Sequence, residues 1–335
     1  MGLDGASGEV KRILVTGNNW LGDAVMSLPT LKSLRAMQPD ARISVLSRPS
    51  VAGLYAGLPY VDETIVPPRR WLGLVRELRR RKFDAALILP RSFSSALAPF
   101  TARIPRRIGY AGDGRSPMLT DALPRDPELL RVHRVRYYHH LLSAFGKPPE
   151  PKPPTLDVSP EAERWAATHV PEGEPLVGVN PGATYGEAKQ WFPDRFVDAA
   201  RRMTKKWRAS IVVVGGPAER ELGDRVAAEI GDRAVSLAGR TDLPQLAAVI
   251  RRCALFLTND TGPMHVADAV GVPIVAIFGP TDWVATPPYG KRHAIVRKPI
   301  ECSPCLKRVC PLGHHNCMKF VSVDDVVDAC GRFLP

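Results

Sequence analysis

No run of apolar residues in this 335-residue chain approaches the ~18 needed to cross a bilayer, and runs such as Ala269–Phe278 are broken by Gly and Pro. A membrane-spanning protein is thereby excluded. Met1–Val10 has no basic stretch followed by an apolar run and a small-residue cleavage site, so the expected compartment is the cytoplasm. Internal repeats and low-complexity tracts are absent too. With 44% apolar and 24% charged residues, neither a disordered nor a fibrous chain fits. What remains is a globular protein, long enough at roughly 150 residues per domain for about two domains.

Charge is unevenly placed. Up to Glu150 there are 23 Lys and Arg against 13 Asp and Glu, whereas from Pro151 onward the numbers are 23 and 21. The basicity therefore belongs to the first half, in clusters such as Arg69–Arg70, Arg76–Arg81, Arg103–Arg107 and Arg131–Arg136. Such clusters suit an anionic partner: nucleic acid, phosphorylated lipid or a membrane surface. They also serve as solvated helix faces. Nucleic acid is set aside because the basic residues lack the interleaved aromatics of an RRM-type surface, and a helix-turn-helix has no place in the pattern described next.

Both halves alternate short β-rich runs with helical spacing. In the first, Arg12–Thr16, Arg42–Leu46, Glu63–Val66 and Ala85–Leu89 read as strands, with helices over Asp23–Met37, Val51–Leu58 and Trp71–Arg81. In the second, Leu176–Asn180, Ser210–Gly215, Val235–Leu237, Leu255–Thr258 and Ile274–Phe278 read as strands. Helices are expected over Pro193–Lys206, Glu219–Ile230, Leu243–Arg252 and Pro263–Val270. This alternation predicts an α/β fold of two βαβ domains with mainly parallel sheets. The proline-rich Gly146–Pro154 can form neither a helix interior nor a central strand, so residues 1–155 and 156–335 are the expected domains. In such folds ligands bind beyond the carboxyl ends of the strands.

Three strand-to-helix turns carry unusual residues. Thr16–Asp23 (TGNNWLGD) brings two glycines and a carboxylate to a helix start, where the dipole favours negative charge; a plain N-cap accounts for Asp23 as well. The glycines are five apart, so this is not the GxGxxG dinucleotide fingerprint. Asn180–Trp191 (NPGATYGEAKQW) is rich in small residues and holds Lys189, a backbone cradle with one phosphate-neutralising cation, though not a Walker loop. Leu257–His265 (LTNDTGPMH) places Pro263 just inside a helix start at a strand's end, a ready site for a diphosphate.

Together these turns resemble glycosyltransferase family 9, the bacterial lipopolysaccharide heptosyltransferases. Further carriers are Leu89–Ala96 (LPRSFSSA), Ala102–Tyr110 (ARIPRRIGY) and Phe278–Thr281 (FGPT). The resemblance runs through nearly the whole chain and implies a GT-B fold: two Rossmann-like domains facing across a cleft, with the C-terminal tail packing back on the first. It implies transfer of heptose from ADP-L-glycero-D-manno-heptose to the first heptose of the inner core, with inversion. Other family members, including the one that adds the first heptose, are the nearest alternatives. A non-catalytic nucleotide-sugar-binding protein is the alternative of another class. By the same resemblance Asp23 is the general base and Lys189 the cation on the leaving diphosphate. Gly182, Thr184, Lys189, Glu219, Asp260, Thr261, Gly262 and His265 would bind the donor. Ser92, Ser95, Arg103, Arg106 and Arg107 would face the anionic Kdo–lipid A core acceptor. The protein would then work as a peripheral protein on the cytoplasmic face of the inner membrane.

The chemistry agrees with the residues. Displacement at an anomeric carbon needs a base on one face and stabilisation of the departing diphosphate on the other. Lys189 and a helix N-terminus can supply the second function, so no cofactor is expected for catalysis. Separately, Cys302, Cys305, Cys310 and Cys317 lie within sixteen positions, with His314 and His315 nearby. This spacing is open to a structural zinc, to free thiols or to a disulfide, the last disfavoured in a cytosolic setting.

Overall fold

In the computed structural model, which describes residues 10–171, 175–184 and 186–335, the chain divides between Lys152 and Pro153 into two compact units. The division falls within the proline-rich spacer. Residues 1–9, most of the stretch inspected for a secretory signal, lie outside the described residues.

The first unit is built on six strands: β1 (Arg12–Thr16), β2 (Arg42–Leu46), β3 (Glu63–Ile65), β4 (Ala85–Ile88), β5 (Arg106–Tyr110) and β6 (Asp121–Leu123). They lie in the order β3-β2-β1-β4-β5-β6, every neighbouring pair parallel. All six carboxyl ends therefore open onto one edge. β1 pairs Thr16 with Leu46 on one side and with Ile88 on the other, so the turns after β1, β2 and β4 start level. The helix Trp71–Arg81 packs Leu74, Val75 and Leu78 inward and stops at Lys82, whose left-handed φ of 51° ends the helical run.

The helix expected over Asp23–Met37 is two helices, Leu21–Met26 and Leu28–Met37. Pro29 has no N–H to continue the ladder, and Ser27 at the break turns its hydroxyl back to Ala24 O at 2.7 Å. Around Val51 only Pro49–Ala52 is helical; Gly53 follows, and Gly57 has a φ of +76°.

The second unit repeats the plan with β7 (Leu176–Asn180), β8 (Ser210–Val213), β9 (Ala234–Ser236), β10 (Leu255–Asn259), β11 (Ile274–Ile277) and β12 (His293–Val296). The order is β12-β11-β10-β7-β8-β9, again all parallel. Its core joins strand residues Val177, Val179, Ile211 and Leu257 to Trp191, Phe196 and Met203. Trp191 is fully buried and donates its indole N–H to Val321 O at 3.1 Å, tying the site loop to the C-terminal segment. The last helix, Val323–Cys330, packs on the helix Pro193–Trp207 and on β11 and β12. The C-terminal segment falls within the second unit. Among the described residues no helix is long and apolar enough to cross a membrane.

Candidate active site

In the first unit the turn after β1 delivers Asp23. It is the third residue of the helix Leu21–Met26, half-buried, and its Oδ1 accepts the Tyr138 hydroxyl at 2.7 Å. Asn18 braces the same turn by donating Nδ2 to Asp23 O at 3.2 Å. Burial, and then the charge of Asp23, push the Tyr138 hydroxyl well above its ordinary pKa, so Tyr138 remains a donor at any physiological pH. An oriented carboxylate at the carboxyl edge of a parallel sheet is placed to take a proton.

Ser92 and Ser95 follow β4 at the same edge. Ser92 caps the helix Phe93–Thr101 and is exposed, whereas Ser95 Oγ donates to Ser92 O at 2.6 Å and accepts from Arg115 Nη1 at 3.1 Å. Arg103, Arg106 and Arg107 do not join them. They lie at the amino end of β5, the opposite edge of the sheet from Asp23. Arg106 pairs with Asp121 at 2.8 Å and also donates to Ala144 O. Arg107 donates to the carbonyls of Met118, Ile104 and Pro105. Two of the three guanidinium groups, those of Arg106 and Arg107, thus staple loops at the amino edge of the sheet.

In the second unit the turns after β10, β7 and β8 meet, because these strands are neighbours. Lys189 Nζ lies 3.0 Å from Asp260 Oδ2 and 3.3 Å from Asp260 O, with the two side chains 15% and 6% exposed. Asn259 holds the turns together: Nδ2 donates to Pro181 O and Gly182 O at 3.1 Å each, and Oδ1 accepts Trp191 N–H at 3.0 Å. Thr261 caps the helix Gly262–Ala269 without a side-chain capping bond, so the first N–H groups of this helix are not taken by its cap. His265, in its first turn, is buried. Glu219 Oε2 accepts Gly216 N–H at 2.7 Å, and burial raises its pKa. A Cβ on Gly182 would fall 2.0 Å from Glu219 Oε1, so the Glu219 carboxylate reaches across against the bare backbone of the Gly182 loop and would have to shift for any larger residue. Thr184 lies in the same loop as Gly182. A lysine, a helix N-terminus and a glycine-lined loop meet at one sheet edge, the combination of positive charge and backbone N–H groups that suits a diphosphate.

The four clustered cysteines line one cavity of about 20 Å³ together with His314, His315 and Ala188. Among the described residues, no three His, Cys, Asp or Glu side chains are grouped as a metal-ligand set. Burial and the neighbouring thiols of Cys302, Cys305 and Cys310 push Cys317 up to about 11. Cys310 moves the other way, lowered by backbone N–H groups of His315 and its neighbours. This segment braces the lysine turn: Ala188 N–H donates to Arg308 O at 3.1 Å, and Ala188 O accepts from His315 Nε2 at 2.8 Å.

Residues 71–316 match the glycosyltransferase family 9 (heptosyltransferase) profile. The chain belongs to glycosyltransferase family 9. It is therefore a glycosyltransferase, and its two parallel sheets are those of the GT-B fold. Lipopolysaccharide heptosyltransferase 2 of Salmonella typhimurium is 34% identical over 309 residues, covering 85% of this chain and 88% of that protein. The Escherichia coli protein of the same name is 32% identical over 314 residues, with the same coverage. The solved structure of the E. coli ADP-heptose lipopolysaccharide heptosyltransferase II superposes with a TM-score of 0.84 at 29% identity, covering 96% of this chain and 98% of that one.

The sequence gives no sign of Tyr138, and it shows Asn259 and His315 without the bracing roles that the structure assigns them. Tyr138 lies 115 positions from Asp23 and carries no local motif. Asn259 was legible as part of the LTNDTGPMH turn, but not as the residue that joins three loops. His315 was noted only beside the cysteines.

Proposed function

We propose that this chain transfers a heptose from ADP-L-glycero-D-manno-heptose to the first heptose of the lipopolysaccharide inner core, inverting the anomeric centre. The observation that carries the reading is the buried Lys189–Asp260 pair beside the start of the helix Gly262–Ala269, in a chain 34% identical to a lipopolysaccharide heptosyltransferase 2. In this reading the second unit holds the donor. Lys189 and the N–H groups of Gly262 and its neighbours stabilise the negative charge that grows on the departing diphosphate. Gly182 and Thr184 line its cradle, Asp260 and Thr261 hold Lys189 and the helix start, His265 supports that first turn, and Glu219 meets the ribose.

The first unit holds the acceptor. Asp23 removes the proton of the attacking hydroxyl, and Tyr138 orients its carboxylate. Catalysis requires no cofactor, because the positive charge on the leaving group comes from the protein. The acceptor is a Kdo–lipid A core, so the enzyme works as a peripheral protein on the cytoplasmic face of the inner membrane. Trp71 and Leu72, 41% and 65% exposed beside Arg69 and Arg70, support that contact.

The test is transfer from ADP-heptose to acceptors bearing no heptose or one, followed by mass spectrometry. Addition to the one-heptose acceptor alone is the expected result. Addition to the unheptosylated acceptor alone would give the chain the earlier step, and donor binding without transfer to either would make it a binding protein.

A further inference from the structure

The four clustered cysteines take no part in this mechanism, yet they flank the contacts that hold its lysine turn. From Arg297 to His315 the second unit has neither helix nor strand. No apolar core fixes this segment either: Leu306, Val309 and Leu312 are 57%, 60% and 61% exposed, while Cys302, Cys305, Cys310 and Cys317 line the cavity they share with Ala188. Its shape depends on a few hydrogen bonds. Ser303 Oγ donates to Gly279 O at 2.5 Å and Leu306 N–H to Pro280 O at 2.8 Å, pinning it to the turn after β11. Segments held in this way open and shift at little cost.

Two further bonds reach the lysine turn. Ala188, buried and next to Lys189, donates its N–H to Arg308 O and accepts from His315 Nε2. Gly186 lies so near that a Cβ on it would fall 2.5 Å from Arg308 O. Each brace sits between two cysteines of the cluster: Arg308 between Cys305 and Cys310, and His315 between Cys310 and Cys317. A bond from Cys310 back to Cys302 or Cys305 closes a ring that contains Arg308. Sulfurs joined as a disulfide stand roughly 2 Å apart, with their Cα atoms within ~7 Å, so the ring tightens and draws on the carbonyl that Ala188 leans against.

The chemistry selects Cys310 as the attacking thiol. It is half-buried, and its sulfur sits among the backbone N–H groups of His315, Leu312, Gly313 and His314, which hold its pKa below the ordinary thiol value. Cys317 is buried, and that burial together with the neighbouring thiols moves it the other way. Cys302 and Cys305, half-buried at the same cavity, are the accessible partners.

We propose that Cys310 and one of Cys302 and Cys305 form a reversible thiol–disulfide site that loosens the Lys189 turn when oxidised. The oxidant is a small-molecule disulfide. The Cys310 thiolate attacks one of its sulfurs and expels the first thiolate; the second cysteine, also as thiolate, attacks the Cys310 sulfur and expels the other. Two protein thiols are oxidised to one disulfide, the reagent is reduced to two thiols, and the protons shed by the cysteines end on them. The consequence for donor binding rests on the reading of Lys189 as the cation on the diphosphate; the thiol site itself does not.

The test treats full-length protein at neutral pH, with chelator present, with oxidised glutathione, and maps disulfides by peptide mass spectrometry without reduction. A bridge from Cys310 to Cys302 or Cys305 is expected. With it, amide hydrogen exchange at Ala188 should quicken and ADP affinity by calorimetry should weaken, each by about fivefold or more, and dithiothreitol should reverse both. Cys310→Ser should form no such bridge and keep the exchange rate and ADP affinity of the reduced protein under the same treatment. Reversal in the wild type keeps the test valid should that variant fold poorly. No bridge within the cluster, glutathione left on Cys310, or a bridge that leaves Ala188 exchange unchanged would overturn the site. A bridge with faster exchange and no response in ADP binding would sink the role of Lys189 on the diphosphate and leave the thiol site standing.

Discussion

Tyr138 donates its hydroxyl to Asp23 Oδ1 at 2.7 Å, joining the helix Arg134–His140 to the turn after β1. If Asp23 is the base, Asp23→Asn keeps its size and its place in the helix but not its proton affinity, and kcat should fall by about 10²–10⁴. Tyr138→Phe should cost about tenfold, the value of one hydrogen bond to a charged group. ADP affinity, measured by calorimetry, should stay unchanged in both. Near-normal turnover in Asp23→Asn would reduce Asp23 to a favourable charge in the first turn of a helix.

Lys189 and Asp260 form a largely buried pair, so removing one partner strands the other. Lys189→Ala should weaken ADP binding and turnover together, because the lysine meets the diphosphate before and during its departure. It should also destabilise the second unit by roughly 3 kcal/mol, at the low end of such losses because Lys189 keeps some exposure. A scanning melt should show a fall of about 6–12 °C. An unchanged Tm would mean that Asp260 finds another partner when Lys189 is gone.

Glu219 sets a pH dependence with a definite sign. Its carboxyl is raised above 4.5 by burial in the folded protein. Below the unfolded value both states are protonated and Glu219 costs nothing. As pH rises through the window between the unfolded and folded values, the unfolded chain ionises first and stability is lost. Glu219→Gln should therefore match wild type near pH 4 and exceed it in Tm at pH 7, while binding ADP more weakly. A stability difference equal at both pH values would remove the assigned burial.

The six cysteines should divide by reactivity. Burial pushes Cys253 and Cys330 up to about 12 and Cys317 up to about 11, whereas Cys310 is lowered by surrounding N–H groups. Maleimide labelling at neutral pH, read by peptide mass spectrometry, should mark Cys310 first and spare Cys253, Cys317 and Cys330 until the protein is unfolded. Labelling of Cys317 at the rate of Cys310 would contradict its place in the cavity wall. Elemental analysis of the same chelator-free sample decides the metal content directly.

Several elements were legible because their signals are local. Arg12–Thr16 and Leu176–Asn180 carry the short buried apolar runs Ile13–Val15 and Leu176–Val179, and Trp71–Arg81 repeats its apolar residues at helical spacing. β5 and β12 were missed for the converse reason. β5 opens on two arginines, and β12 is an edge strand with only Ala294 and Val296 buried. The motif turns with Asp23, Lys189 and Asp260 were found because each follows a strand and precedes a helix, a pattern visible within ten residues.

From the sequence alone came the α/β plan, the family, and the strand-to-helix turns that carry Asp23, Lys189 and Asp260, all of them properties of short segments and their order. Only the tertiary structure decided which charges are partners. Arg103, Arg106, Arg107 and Arg115 look alike as arginines in a basic half. Sheet direction separates them, because in a parallel sheet a residue that begins β5 and one that follows it lie at opposite edges. The pairings of Tyr138 with Asp23 and of Lys189 with Asp260 span 115 and 71 positions. Contacts that distant leave no period in the chain; they exist because the strands between them fold side by side.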